Sequence, residues 1–135
     1  MLKLSIISIT YNHEKFIREA LESFMMQRVD FEYEIVIGDD CSTDNTQAII
    51  KEFAEKYPYI IKPIYRDKNI GANQNLVDIL SRAKGKYIAL CEGDDYWIDQ
   101  YKLQKQVDFL EKNPDFSLCF HNVKIFENNR FLDDY

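Results

Sequence analysis

The chain has 135 residues, with 46% apolar and 14% aromatic side chains, enough to bury the core of one domain but not of two. That composition excludes a disordered segment, and a net charge of -6 argues against nucleic acid as a partner. An acidic protein can still bind a nucleotide through a bridging cation. No apolar run approaches the roughly 20 residues of a membrane span, and Met1-Leu2-Lys3-Leu4 leads into a strand without a cleavage-site pattern. Cys41, Cys91 and Cys119 lack metal-ligand spacing and read as reduced core or loop residues.

In chain order, Leu4 to Ile9 is a β-branched run expected to form a buried strand. It ends in Thr10-Tyr11-Asn12. A helix follows, with Phe16, Ile17, Ala20, Leu21, Phe24 and Met25 on one face. Asn12 is either its N-cap or a ligand residue, Glu14 suits its positive first turn, and His13 is expected to be exposed there.

Tyr33 to Ile37 is the second strand, running into Gly38-Asp39-Asp40-Cys41-Ser42-Thr43-Asp44. The Asp44-x-x-Gln47 spacing predicts a capping box for a helix that buries Ile49, Phe53, Ala54 and Tyr57 and stops before Pro58. Capping accounts for Asp44 and Ser42. The adjacent acids Asp39 and Asp40 are required by no turn and are candidates for function.

Ile60 to Tyr65 is a third strand, which Pro63 places at an edge or a bulge. A polar connection containing Asn69 and Gly71 leads to a helix with Leu76, Ile79, Leu80 and Ala83 on its buried stripe, closed by Gly85 as C′ residue. Tyr87 to Cys91 reads as a buried parallel strand. Glu92, Asp94 and Asp95 follow, with Gly93 expected to let the backbone turn sharply. Tyr96 and Trp97 either pack this loop onto the next helix or border a sugar site, packing being favoured. That helix starts near Asp99, carries Leu103, Val107 and Leu110, and ends at Asn113-Pro114. Phe116 to Phe126 is expected to form a fifth strand interrupted by His121-Asn122, with His121 a core or rim residue rather than a metal neighbour.

Strands alternating with helices imply a mostly parallel α/β sheet with right-handed crossovers and helices on both faces. Ligands bind outside the carboxyl ends of such strands, where Asp39, Asp40, Glu92, Asp94 and Asp95 fall. Clustered carboxylates repel one another, and a hard divalent cation, in turn able to hold a diphosphate, is the usual remedy. A dinucleotide fold or P-loop would need glycines after the first strand, and none is there. A receiver domain would carry its acidic pair where this chain has Thr-Tyr-Asn.

Ser8-Ile9-Thr10-Tyr11-Asn12, Ile37 to Thr46, Asn69-Ile70-Gly71, Ala83 to Ile88 and Glu92-Gly93-Asp94-Asp95, in that order and spacing, resemble the family-2 glycosyltransferases. The resemblance covers Leu4 to about Asp115. It implies a GT-A fold, a nucleotide-diphospho-sugar donor, most simply a UDP-sugar, and transfer with inversion to a saccharide or lipid-linked acceptor. It assigns Thr10, Tyr11 and Asn12 to the loop around the nucleoside, Asp40 (or Asp39) to the base, and Asn69 and Gly71 to the base and ribose. Glu92 and Asp94 would serve the donor, and Asp94 and Asp95 would hold Mn2+ or Mg2+. Glu92 stands where the family usually has Asp. The general base is expected beyond the matched stretch; Glu127, Asp133 and Asp134 have no support for that role. The chain is therefore expected to be the donor-binding part of one domain, truncated before the acceptor-binding part. The alternative is a nucleotide-sugar-binding fragment inactive without that part. A sugar-nucleotide pyrophosphorylase would need a Gly-rich basic loop in place of Thr10 to His13. The resemblance also implies a cytoplasmic location and peripheral association with the inner face of the membrane, where polysaccharide or glycolipid is assembled.

Overall fold

The computed structural model describes residues 1–128 and 130–132. Strands β1 (Leu4–Thr10), β2 (Tyr33–Asp39), β3 (Ile61–Tyr65) and β4 (Tyr87–Leu90) form one sheet in the order β3-β2-β1-β4, all pairs parallel. Between and after them lie α1 (Ile17–Met25), α2 (Thr46–Lys56), α3 (Ala72–Ser81) and α4 (Lys102–Lys112). The continuous apolar runs of β1 and β2 are explained by burial on both sides. Leu4, Ile6, Ile35, Ile37 and Ile61 face α1, α2 and α4 through Ile17, Leu21, Phe24, Ile50, Phe53, Leu103 and Val107. Ile7 and Val36 face Ile79 of α3 on the opposite side. Helices thus cover both faces, three on one and one on the other. Each fully buried Ile, Leu or Phe contributes about 1.5–3 kcal/mol.

The helical stripes differ from expectation in a few positions. Phe16 precedes α1 and is exposed, Ile50 rather than Ile49 is the deeply buried isoleucine of α2, and Leu80 faces solvent while Asn75 is buried on α3. Asn75 lies inward because Gly38 leaves room for it: a Cβ on Gly38 would sit 2.3 Å from Asn75 Oδ1. Asn75 Nδ2 donates to the Gly38 carbonyl at 2.8 Å.

Gly85 does not close α3. That helix ends at Arg82, and Gly85 instead presses on β1, where a Cβ would lie 2.4 Å from the Leu4 carbonyl carbon. Ser5 Oγ accepts the Gly85 N–H at 2.9 Å and donates to Glu34 at 2.7 Å, while Glu34 Oε1 accepts the Lys84 N–H at 2.8 Å. This buried polar pair fixes the entry into β4.

Strand β4 is not buried on both faces. Among the described residues it pairs only with β1, and Ile88 and Leu90 are exposed on the α3 side. Pro63 lies on the other edge strand, β3, as its missing N–H requires. The expected fifth strand from Phe116 to Phe126 does not form. Residues 116–125 carry no regular structure, and a separate hairpin of β5 (Phe126–Glu127) and β6 (Arg130–Phe131) follows. Residues 116–125 do not pair with the free edge of β4, and Phe116, Leu118, Phe120 and Val123 are exposed. His121 is exposed as well, its Nδ1 against the Asn122 carbonyl at 2.8 Å. Asp133 and Asp134 lie outside the described residues. No described helix is long and apolar enough to cross a membrane.

Candidate functional site

All four parallel strands deliver their connecting loops to one edge of the sheet. The loops after β1 and β2 are stitched together by short polar side chains. Asn12 takes a left-handed conformation with φ 54°, which Asn tolerates better than most residues. Its Oδ1 then accepts the Thr43 N–H at 2.8 Å, and its own N–H donates to Ser42 Oγ at 2.9 Å. Asn12 is therefore not the N-cap of α1. The free amides ahead of that helix are satisfied from the neighbouring loop, His13 N by Thr46 Oγ1 at 2.9 Å and Glu14 N by Asp44 Oδ2 at 3.1 Å. Glu14 returns the contact by accepting the Asn45 N–H at 3.0 Å.

The capping box at Asp44 does not form; the N-cap of α2 is Asn45, which makes no side-chain cap hydrogen bond. Asp44 Oδ1 accepts the Thr46 N–H at 2.9 Å, but Gln47 turns away and donates to Asp39 Oδ2 at 2.6 Å. Charge explains the choice, since a hydrogen bond to a carboxylate is about twice as strong as one to a neutral acceptor.

Asp39 and Asp40 are both used by the fold. Asp39 is the last residue of β2 and 1% exposed; besides Gln47 it accepts the Ser42 N–H at 3.0 Å and the Ser42 hydroxyl at 2.5 Å. Asp40, 3% exposed, accepts the Ile70 N–H at 2.8 Å through one oxygen and the Gly71 N–H at 2.9 Å through the other. It thereby ties the loop after β3 to the loop after β2, and Asn69 Nδ2 adds a bond to the Asp40 carbonyl at 3.2 Å. Gly71 has φ 88°, a conformation open to glycine and strained for other residues. The turns thus do require these acids, contrary to the expectation that no turn would. Each Asp40 oxygen keeps a lone pair for a further donor.

The acids after β4 stand in contrast. Glu92, Asp94 and Asp95 are exposed, and their side chains accept no hydrogen bond among the described residues. Gly93 anchors their loop without a positive φ: its N–H donates to the Ile9 carbonyl at 2.9 Å, and a Cβ would lie 2.8 Å from Thr10 Oγ1 and 3.0 Å from Ile17 Cδ1. The backbone turns here as expected, the Asp95 N–H donating to the Glu92 carbonyl at 3.2 Å, and close approach to Thr10 rather than a positive φ is what calls for glycine. Partial burial, followed by the Asp94 charge, holds the Asp95 carboxyl above its ordinary range, against a smaller opposing effect of His13. Burial pushes the Cys91 thiol up to about 12, with Asp95 adding to it, so this cysteine stays protonated and inert.

Thr10 is 2% exposed and turned inward, whereas Tyr11 beside it is 45% exposed at the loop surface. His13 is not an exposed helical residue. It precedes α1, its Nδ1 lies 3.1 Å from Thr10 Oγ1, and its Nε2 lies 3.7 Å from Asp94 Oδ2. Sequence spacing gave no signal for this contact, which spans the loops after β1 and β4. Trp97 is buried against Phe24 with ring centroids 4.9 Å apart and Lys102 Nζ 4.2 Å from its ring centre, so it packs the loop rather than lining its surface. Tyr96 meets Phe126 of the hairpin edge-on at 6.1 Å.

No group of three His, Cys, Asp or Glu side chains among the described residues encloses a metal position. The donor set nevertheless fits a divalent cation of the Mg2+ or Mn2+ type, which commonly takes one or two carboxylates and fills its remaining positions with phosphate oxygens and water. Asp94 and Asp95 are the free adjacent carboxylates.

A parallel α/β sheet with its polar loops and exposed acids at the carboxyl edge places a candidate ligand site at that edge. The comparisons with known proteins make this specific. The model of glycosyl transferase family 2 matches residues 5–134, and the chain belongs to that family. It is 52% identical over 122 residues to the uncharacterized protein Rv1520 of Mycobacterium tuberculosis, covering 90% of this chain and 35% of that protein. The crystal structure of Staphylococcus aureus TarS in complex with UDP superimposes with a TM-score of 0.74 at 33% identity, over 84% of this chain and 33% of that one. TarS is a poly(ribitol-phosphate) beta-N-acetylglucosaminyltransferase. The mannosyltransferase PcManGT of Pyrobaculum calidifontis, in complex with GDP-Man and Mn2+, aligns with a TM-score of 0.72 at 26% identity, over 80% of this chain and 32% of that one. The fold is that of the GT-A glycosyltransferases, and the chain spans about a third of the length of these relatives.

Proposed function

We propose that this chain is the donor-binding part of an inverting glycosyltransferase that takes a UDP-sugar with Mn2+ or Mg2+. The observation that carries the reading is the set of exposed carboxylates Glu92, Asp94 and Asp95 at the carboxyl edge of the sheet, which accept no hydrogen bond among the described residues, in a family-2 chain similar to a UDP-bound relative. In this reading the nucleoside lies between Tyr11 and the Asn69–Gly71 loop. Asp40 holds that loop and uses its remaining lone pairs toward the base; Asp39, with three donors already on its carboxylate, is the weaker candidate. Thr10 and Asn12 shape the nucleoside loop from behind.

Asp94 and Asp95 would hold the cation, with Glu92 beside them toward the ribose. When bound, the cation offsets the negative charge that develops on the departing nucleoside diphosphate. The chain's own residues bind the donor, orient its diphosphate and keep the base fixed. The acceptor, a saccharide or a lipid-linked saccharide, would be deprotonated by a general base that none of these residues supplies. Glu127 lies on the exposed hairpin and has no support for that role. Cytoplasmic location with peripheral association at the inner membrane face belongs to the same proposal. A second reading is binding of the donor without transfer, since none of the residues placed at this site is a general base.

Calorimetric titration of UDP into the protein, with and without Mn2+, on wild type and Asp95→Ala tests the donor site. Metal-dependent binding that the substitution removes is the expected result; no binding of UDP with metal present overturns the assignment. Turnover of UDP-sugars by the same protein then separates transfer from binding alone.

A further inference from the structure

His13 lies outside every motif that marks the family resemblance, yet it is the one basic side chain within 4 Å of the acids after β4 among the described residues. Its placement is built from three sides. The backbone N–H is held by Thr46 Oγ1 at 2.9 Å, and its carbonyl accepts the N–H groups of Phe16 and Ile17, both at 2.9 Å. The ring meets Phe16 edge-on, with centroids 6.5 Å apart and an interplanar angle of 76°. Thr10 Oγ1 lies 3.1 Å from Nδ1, and Thr10 is itself locked against the face of Gly93. The imidazole is thus fixed, while the Asp94 side chain opposite it is 44% exposed and otherwise unpartnered.

We infer that His13 is a positioning residue that sets the Asp94 carboxylate for a cation-bridged diphosphate, an inference that rests on the donor-site reading above. The tautomer follows from the neighbours. A bare Nε2 facing a carboxylate would set two acceptors against each other, so Nε2 carries the proton. Nδ1 is then the acceptor and takes the hydroxyl proton of Thr10. The result is a directed chain, Thr10 O–H to Nδ1 and Nε2–H toward Asp94 Oδ2, running from the nucleoside loop to the acidic loop. The 3.7 Å separation is longer than a hydrogen bond, and the 44% exposed Asp94 side chain would close it by rotating toward Nε2 when the donor binds. Carboxylates that bind metal are themselves oriented by hydrogen-bond donors, and loss of such a donor typically weakens metal affinity about 10–100-fold. The backbone contact to Thr46 does not depend on the side chain, so substituting the imidazole leaves the loop anchored.

The test uses the 135-residue chain with UDP and Mn2+ as probes, reading free aqueous Mn2+ by electron paramagnetic resonance during titration at saturating UDP. His13→Ala is expected to weaken Mn2+ binding about tenfold or more, whereas His13→Gln, whose amide nitrogen reaches the Nε2 position, keeps affinity within about threefold. Urea unfolding of the same variants separates the alternatives: a purely structural residue would lose stability on substitution and leave Mn2+ affinity unchanged. Nitrogen-15 NMR of the metal-free protein is expected to show the Nε2–H tautomer. Wild-type affinity in His13→Ala, or the Nδ1–H tautomer, overturns the inference while leaving the donor site intact. Absence of Mn2+-dependent UDP binding in wild type overturns the donor-site reading itself and this inference with it.

Discussion

The acids after β2 and the acids after β4 have the same appearance in sequence and opposite fates in the fold. Asp39 and Asp40 are buried and accept five hydrogen bonds from Ser42, Gln47, Ile70 and Gly71. Glu92, Asp94 and Asp95 accept none among the described residues and face solvent. The first pair is spent on bracing the loop after β2 and tying the loop after β3 to it. The second set sits on a loop anchored through Gly93 and remains chemically available.

Substitutions break the comparison in graded ways. The largest stability effect is expected for Asp40→Ala, which leaves the Ile70 amide without its acceptor and the Gly71 amide with only Asn69 Oδ1 at 3.1 Å. At about 1–3 kcal/mol for the abandoned Ile70 donor, with the weakened Gly71 contact added, a loss of about 3 kcal/mol is expected in urea unfolding. Unchanged stability would mean that these amides find water and that Asp40 is free for other work.

Gly93→Ala comes next. Its new Cβ meets Thr10 and Ile17 below 3.1 Å, and forced overpacking costs about 1–3 kcal/mol. Because the acidic loop must shift to relieve the contact, Mn2+-dependent UDP binding should fall together with the melting temperature.

Asp95→Ala should behave oppositely, removing metal-dependent UDP binding while stability stays within about 0.5 kcal/mol. The sign of any residual effect is fixed. The Asp95 carboxyl is held up by partial burial and by Asp94, so its ionised form is disfavoured by folding, and removal is neutral or slightly stabilising at neutral pH.

The smallest effect concerns Glu111, at the opposite end of the sheet from these loops. Hydrogen bonds from Lys86, Tyr87 and Lys3 bring its carboxyl down to about 2 from 4.5. Its stabilising effect is therefore present above the unfolded value and lost as pH falls from 4.5 toward about 2. Acid titration of Glu111→Gln should show a shallower fall across that window, most visibly at low salt, since the group is solvent-facing.

Much of this molecule is local in origin. The apolar runs of β1 and β2, the stripe of Ile17, Leu21 and Phe24, and the alternation of strands with helices follow from side-chain periodicity, and they suffice for a parallel α/β sheet. The positions of Thr10 to Asn12, Asp39-Asp40, Asn69-Gly71 and Glu92 to Asp95 at one edge follow from that topology. Glycines and caps were less legible. Gly85 and Gly93 look like turn residues in sequence but answer to β1 and Thr10, which are distant along the chain. Asn12 and Gln47 have better partners in a neighbouring loop and in a carboxylate than in their own helices.

What the sequence alone determined is the fold class and which residues stand at the strand ends, because periodicity and chain order carry that information, while the family was legible only through the resemblance of its strand-end motifs. The tertiary structure decided which acids are consumed and which stay free, and it set His13 against Asp94. Hydrogen-bond satisfaction depends on which loops the parallel strand order brings side by side, and no window of sequence contains that order.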